Sequence, residues 1–237
     1  MGQNELTKAL NKAKIRLLSQ PNATFLSTVL FSLKFSWNKK IATACTNGLT
    51  LQVNPDFFIK LPIEQQVFLL AHETMHVCFQ HMLRGKSKNH EKYNRAADYV
   101  INLLLKSQGF TLIPNVLYDI AYKDMSTEQV YKLLPDEPSS DFNGDIDFNN
   151  PGSGTEEDQT AIEMEIGNIL VRAATQAKLQ GDSPGRLPKE IEIALDELIN
   201  PKLPWNQLMQ NYLNSYAKED YSYRKPNRRF FPEFHLP

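Results

Sequence analysis

One stretch, AHETMHVCFQH at residues 71–81, constrains this chain more than any other. It holds three of the five histidines, with one glutamate between the first two. His72-Glu73-Thr74-Met75-His76 is an HExxH pattern, and Leu69, Leu70, Ala71, Val77, Cys78 and Phe79 surround it with apolar side chains. The periodicity predicts one long helix from Ile63 to Leu83, opened by Pro62 and ended by Gly85. At about 100° per residue, His76 lies about 40° round from His72 and one turn along. Both imidazoles then face one point and can hold one metal at about 2.0–2.1 Å. Glu73 sits beside that face, placed to take a proton from a metal-activated water. Burying two histidines and a glutamate without partners is expensive, which favours a metal site over a bare polar face.

The same geometry treats His81 differently. It lies nine residues beyond His72, so on an unbroken helix it points roughly the opposite way. We therefore read it as a surface or packing histidine outside the site. A catalytic zinc centre needs a third protein ligand, and the next segment, NHEKYNRAADYVINLLL, offers one. Residues 91–107 read as a helix closed by Gly109, with Asn94, Asp98 and Asn102 on one otherwise core-facing stripe beside Ile101 and Leu105. Asp98 completes a His-His-Asp set with an open fourth position, and Asn94 and Asn102 are placed to orient the ligands. His90 is about 80° out of phase with Asp98. Glu91 simply suits a helix N-terminus, and His235 falls in a tail.

The rest of the chain reads as mainly α with a small β element before the histidine helix: an α+β fold. Helices are expected at 4–19 and 23–35. Ile41–Cys45 and Leu49–Val53 are strand-like runs joined through Asn47-Gly48, a strong hairpin signal. Pro114–Asp124 reads as loop and Ser126–Leu134 as a short helix. Residues 135–160 are acidic and rich in Gly, Pro, Ser and Asn, the composition of a flexible loop. Helical pattern returns at 160–180, 188–199 and 205–217, before a basic, aromatic tail from Tyr221. This gives a core at 1–134, the acidic loop at 135–160, and C-terminal helices with the tail at 161–237, all within one continuous domain.

Composition excludes several classes. A net charge of −1 gives no global attraction to nucleic acid, and Arg224, Lys225, Arg228 and Arg229 read as a junction segment. Two distant cysteines, Cys45 and Cys78, form no disulfide framework. No apolar run spans a membrane and the N-terminus lacks a signal-peptide core, so the expected location is cytoplasmic.

Several segments in order resemble one family. They are ATACTNGLTLQVNPDFF, LLAHETMHVCFQHMLR, YNRAADYVINLLL, LYDIAYKDMSTEQVYKLL, TQAKLQGDSPGRLPKEI, NPKLPWNQLM and DYSYRKPNRRF. Together they resemble the metallopeptidase domain that usually precedes a von Willebrand factor A-like domain in bacterial and phage proteins. The resemblance implies a zincin-like fold, zinc on His72 and His76 with Asp98 as third ligand, and Glu73 as general base. It also implies that the hairpin at 41–53 aligns a peptide substrate by strand addition. Tyr118 becomes a candidate for oxyanion stabilisation, beside its plainer reading as a loop tyrosine. Two features depart from the pattern: Asp145-Ile146-Asp147 stands where relatives often carry Asp-x-His, and no A-like DxSxS motif follows.

Two functions follow as expectations. The first is a zinc metallopeptidase acting on peptide or protein substrates. The second is a zinc-binding adaptor without peptidase activity, working with a MoxR-type AAA ATPase of the kind associated with such proteins.

Overall fold

The computed structural model of this chain describes residues 3–20, 23–136, 146, 156–181, 191–193, 195–196, 209–210 and 213. The chain divides into a unit over Met1–Ile199 and a second over Asn200–Pro237. The first carries the sheet and the histidine helix. Its described part is mostly helical with one small sheet, the α+β, mainly α class that the periodicity implies.

Two helices open the chain, α1 (Gln3–Leu17) and α2 (Ala23–Ser32). The second was expected to run to Phe35. It stops at Ser32, and Lys34–Trp37 forms a strand, β1. The reason is a change of period: Lys34 and Ser36 are exposed while Phe35 and Trp37 are half-buried against the core. That two-residue alternation suits a pleated strand and not a helical stripe.

The hairpin signal is matched by β2 (Ala44–Thr46) and β3 (Thr50–Val53), paired antiparallel with Ala44 opposite Val53 and Thr46 opposite Leu51. β1 joins β3 in parallel, Lys34 opposite Thr50 through Trp37 opposite Val53, so the sheet order is β1-β3-β2. In the turn, the Asn47 side-chain oxygen accepts from the Leu49 and Thr50 N–H groups at 3.0 and 2.8 Å. Gly48 has φ 96°, and a Cβ there would sit 2.5 Å from Cδ1 of Ile166. Gly48→Ala thus combines a left-handed backbone with overpacking, and should destabilise the protein by about 1–3 kcal/mol in chemical denaturation.

Asn54 caps the short helix α3 (Pro55–Phe58), and Pro62 then precedes α4 (Ile63–Cys78). Every residue from Gln66 to Cys78 is buried, so α4 is the central helix of the unit and has no solvated face. α1, α2, β2 and a later helix, α6 (His90–Ser107), pack around it. The helix expected to run unbroken to Leu83 ends at Cys78. Gln80 adopts a left-handed conformation at φ 54°, and the chain restarts as α5 (His81–Arg84) before Gly85. A full reorientation of His81 follows from that single residue.

α7 (Thr127–Leu133) is fixed at its start by a capping box between Ser126 and Gln129. It packs on α6 through Val130 and Leu134 against Ala96 and Val100. Between them, the stretch expected as loop holds a 3-10 turn at Ile120–Tyr122. α8 (Glu156–Leu179), starting four residues earlier than expected, lies on α2. Of the acidic stretch, Ile146 is described: it is buried and forms a parallel bridge with Thr46 of β2. The helix expected at 188–199 is helical at 191–193 and 195–196, and that at 205–217 at 209–210 and 213. The remainder of both, and the tail from Tyr221, lie outside the described residues. Among the described residues, no helix is long and apolar enough to cross a membrane.

Candidate metal centre

α4 and α6 pack side by side, and their contact brings His72, His76 and Asp98 together. One ligand atom from each lies within 4.8 Å of the others. The two Nε2 atoms are 3.0 Å apart, and Asp98 Oδ1 lies 3.6 Å from His72 Nε2 and 3.3 Å from His76 Nε2. Ligands held tetrahedrally at about 2.0–2.1 Å from one ion are separated by about 3.3 Å, so these spacings match the edges of such a tetrahedron. All three residues are buried.

Each of the three is held from behind. Asn102 donates from Nδ2 to the Leu117 carbonyl at 2.8 Å, which turns its Oδ1 towards His72 Nδ1 at 3.0 Å. His72 Nδ1 must then carry the proton, leaving the Nε2 lone pair for the shared point. Asn94 donates to Asp98 Oδ2 at 3.2 Å and accepts the Ile146 N–H at 3.1 Å. Burial alone would raise the Asp98 pKa. Without a metal, the hydrogen bonds and charge of the two imidazoles when protonated outweigh it and hold the carboxyl below its usual range. Two nitrogen lone pairs and a carboxylate oxygen converging in a buried space suit a metal ion.

The behaviour of His81 corrects the sequence expectation. It is not a surface residue: it is fully buried, and its Nδ1 lies 3.1 Å from His76 Nδ1. Its Nε2 lies 3.0 Å from Thr127 Oγ1 at the start of α7. The helical-phase argument failed because Gln80 ends the helix before His81. Burial, followed by the nearby His76, Arg84, His72 and Lys88, pushes the His81 pKa well below the usual histidine range. Arg84 and Lys88 both bind Glu128, which ties the segment carrying His81 to the helix carrying Thr127.

Glu73 has no exposed surface, and with Asp98 it makes up the buried carboxylates among the described residues. Tyr118 is 44% exposed and follows Leu117, whose carbonyl accepts from Asn102. His90 is exposed against the Lys86 carbonyl, 3.3 Å away. His235 lies outside the described residues.

A cleft of about 470 Å³ opens beside the cluster, with His72, Asn94, Asp98 and Asn102 in its wall. The remaining wall is largely apolar, from Phe57, Phe68, Leu69, Ile113, Val116 and Leu117, with Thr43, Arg95 and Tyr99 as polar members. The sequence announced the α6 stripe. It held no sign of His81 or Thr127, because a left-handed glutamine has no composition signal of the kind glycine provides.

No solved structure matches this chain significantly. A protein of Thermotoga maritima, called "Uncharacterized protein", is 25% identical over 243 residues, covering 90% of this chain and 59% of the relative. The chain thus spans about three-fifths of that relative's length. The profile of the family described as "Putative metallopeptidase domain" matches residues 5–234, nearly the whole sequence, and the chain therefore belongs to that family.

Proposed function

We propose that this chain is a zinc-dependent metallopeptidase that hydrolyses peptide bonds, with zinc held by His72, His76 and Asp98. The observation that carries this reading is the convergence of two Nε2 atoms and a carboxylate oxygen at 3.0–3.6 Å, with His72 and Asp98 in the wall of a cleft. Two imidazoles and a carboxylate form a donor set typical of catalytic zinc, which keeps a fourth position open. Zinc held by these residues would polarise the substrate carbonyl and lower the pKa of water to about 7.

The chain's own residues supply the rest. Asn102 and Asn94 hold His72 and Asp98 in one orientation, so the ligands need no rearrangement on binding. Glu73, buried next to His72, takes the proton of the attacking water and passes it to the departing amine. The apolar wall of the cleft excludes solvent and receives an apolar side chain next to the scissile bond. β2 is the outer strand of the sheet; Ile146 bridges it at Thr46, and Thr43 immediately before it lines the cleft. A peptide laid beside Thr43 is held by its backbone.

Incubation of the zinc-loaded protein with a mixed peptide library, read by mass spectrometry, tests this function. Cleavage should occur beside apolar side chains and stop on chelation. Tight zinc binding without any cleavage would overturn the peptidase reading in favour of a zinc-binding adaptor module.

A further inference from the structure

We infer that His81 is a positioning residue for the metal centre: its Nδ1 accepts the Nδ1–H of His76 and so fixes that ligand's tautomer and ring plane. This rests on the reading of His76 as a metal ligand through Nε2. A neutral imidazole that offers its Nε2 lone pair must carry its proton on Nδ1. The group facing His76 Nδ1, at 3.1 Å, is His81 Nδ1. Because His76 donates, His81 Nδ1 must accept, and the His81 proton then sits on Nε2. That nitrogen lies 3.0 Å from Thr127 Oγ1, which accepts it. The hydrogen bonds thus run in one direction, from His76 through His81 to Thr127, and all three residues have no exposed surface.

The ring plane of His81 is set independently. Phe79 stacks on it with centroids 5.3 Å apart and planes 24° apart, and Tyr93 meets it edge-on at 5.8 Å. The left-handed Gln80 ends the helix, and His81 beyond it lies against the ligand. Metal-bound histidines usually give their second N–H to a carboxylate or a backbone carbonyl. This chain uses a neutral imidazole, anchored on the first turn of α7.

The test compares zinc affinity, by competition with a chromophoric chelator, in wild type, His81→Phe, His81→Asn and Thr127→Val, with apo melting curves to follow folding. His81→Phe keeps a ring against Phe79 but removes the acceptor, and should weaken zinc binding by about 10–100-fold. His81→Asn restores an acceptor near the Nδ1 position and should recover most of that loss, which a purely structural role would not produce. Thr127→Val, nearly isosteric, should weaken binding in the same direction, and it carries the test if His81→Phe does not fold. Wild-type affinity in both His81→Phe and Thr127→Val, or no recovery in His81→Asn relative to His81→Phe, would overturn the inference. A wild type that binds no zinc would remove the metal reading itself, and the inference with it.

Discussion

Asp98→Ala is expected to lose zinc. The substitution takes away the only charged member of the ligand set and leaves two neutral imidazoles 3.0 Å apart in a buried space. Loss of an outer partner of a ligand costs about 10–100-fold in metal affinity, and loss of the ligand itself should cost more, at least about 100-fold. Asp98→Asn is the sharper comparison. An amide keeps the shape of the side chain that Asn94 contacts but contributes a weaker, uncharged oxygen. It should also bind poorly, which would show that the carboxylate charge and not the volume is needed. Metal analysis after gel filtration reads both variants. A zinc content equal to wild type in Asp98→Ala would show that the third ligand lies elsewhere.

Glu73→Gln is expected to separate binding from turnover. Glutamine has nearly the same size and keeps the packing of a fully buried position, but it cannot accept a proton at neutral pH. Zinc content should stay at the wild-type level, while peptide cleavage falls by about 10²–10⁴, the usual contribution of a general base. Parallel measurement of zinc and of kcat on the best library peptide distinguishes the outcomes. Cleavage retained within a few-fold would remove Glu73 from the chemistry, and loss of zinc together with activity would make it a ligand or a structural residue.

The legible and illegible parts of this protein differ for physical reasons. The convergence of His72 and His76 follows from the helical period, and the α6 stripe of Asn94, Asp98 and Asn102 follows from the same period. Two polar stripes that are costly to bury alone become reasonable once they face each other. The hairpin around Asn47-Gly48 is readable because its turn chemistry is local. β1 was harder, since Lys34–Trp37 continues an apolar helix without a glycine or proline between them. Its place is set by pairing with β3, a long-range contact that no local window contains.

His81 is the instructive failure. Phase reasoning is sound only while the helix persists, and nothing in VCFQHML announces a stop at Cys78. The left-handed conformation of Gln80 is uncommon for a non-glycine residue, and packing overrides the local preference. The groups that reward it are His76, Phe79, Tyr93 and Thr127, all close to His81. Two of these are near in sequence, Tyr93 lies on α6, and Thr127 is 46 residues away. The buried cluster around the HExxH helix is therefore larger than its motif, and it extends to α7.

The ligand set is tested most directly by X-ray absorption at the zinc edge on the fully loaded protein, paired with its zinc stoichiometry. The account predicts one zinc per chain, two imidazole nitrogens and oxygen ligands at about 2.0–2.2 Å, and no sulfur. Three imidazoles, a thiolate sulfur, or no stoichiometric zinc would contradict it.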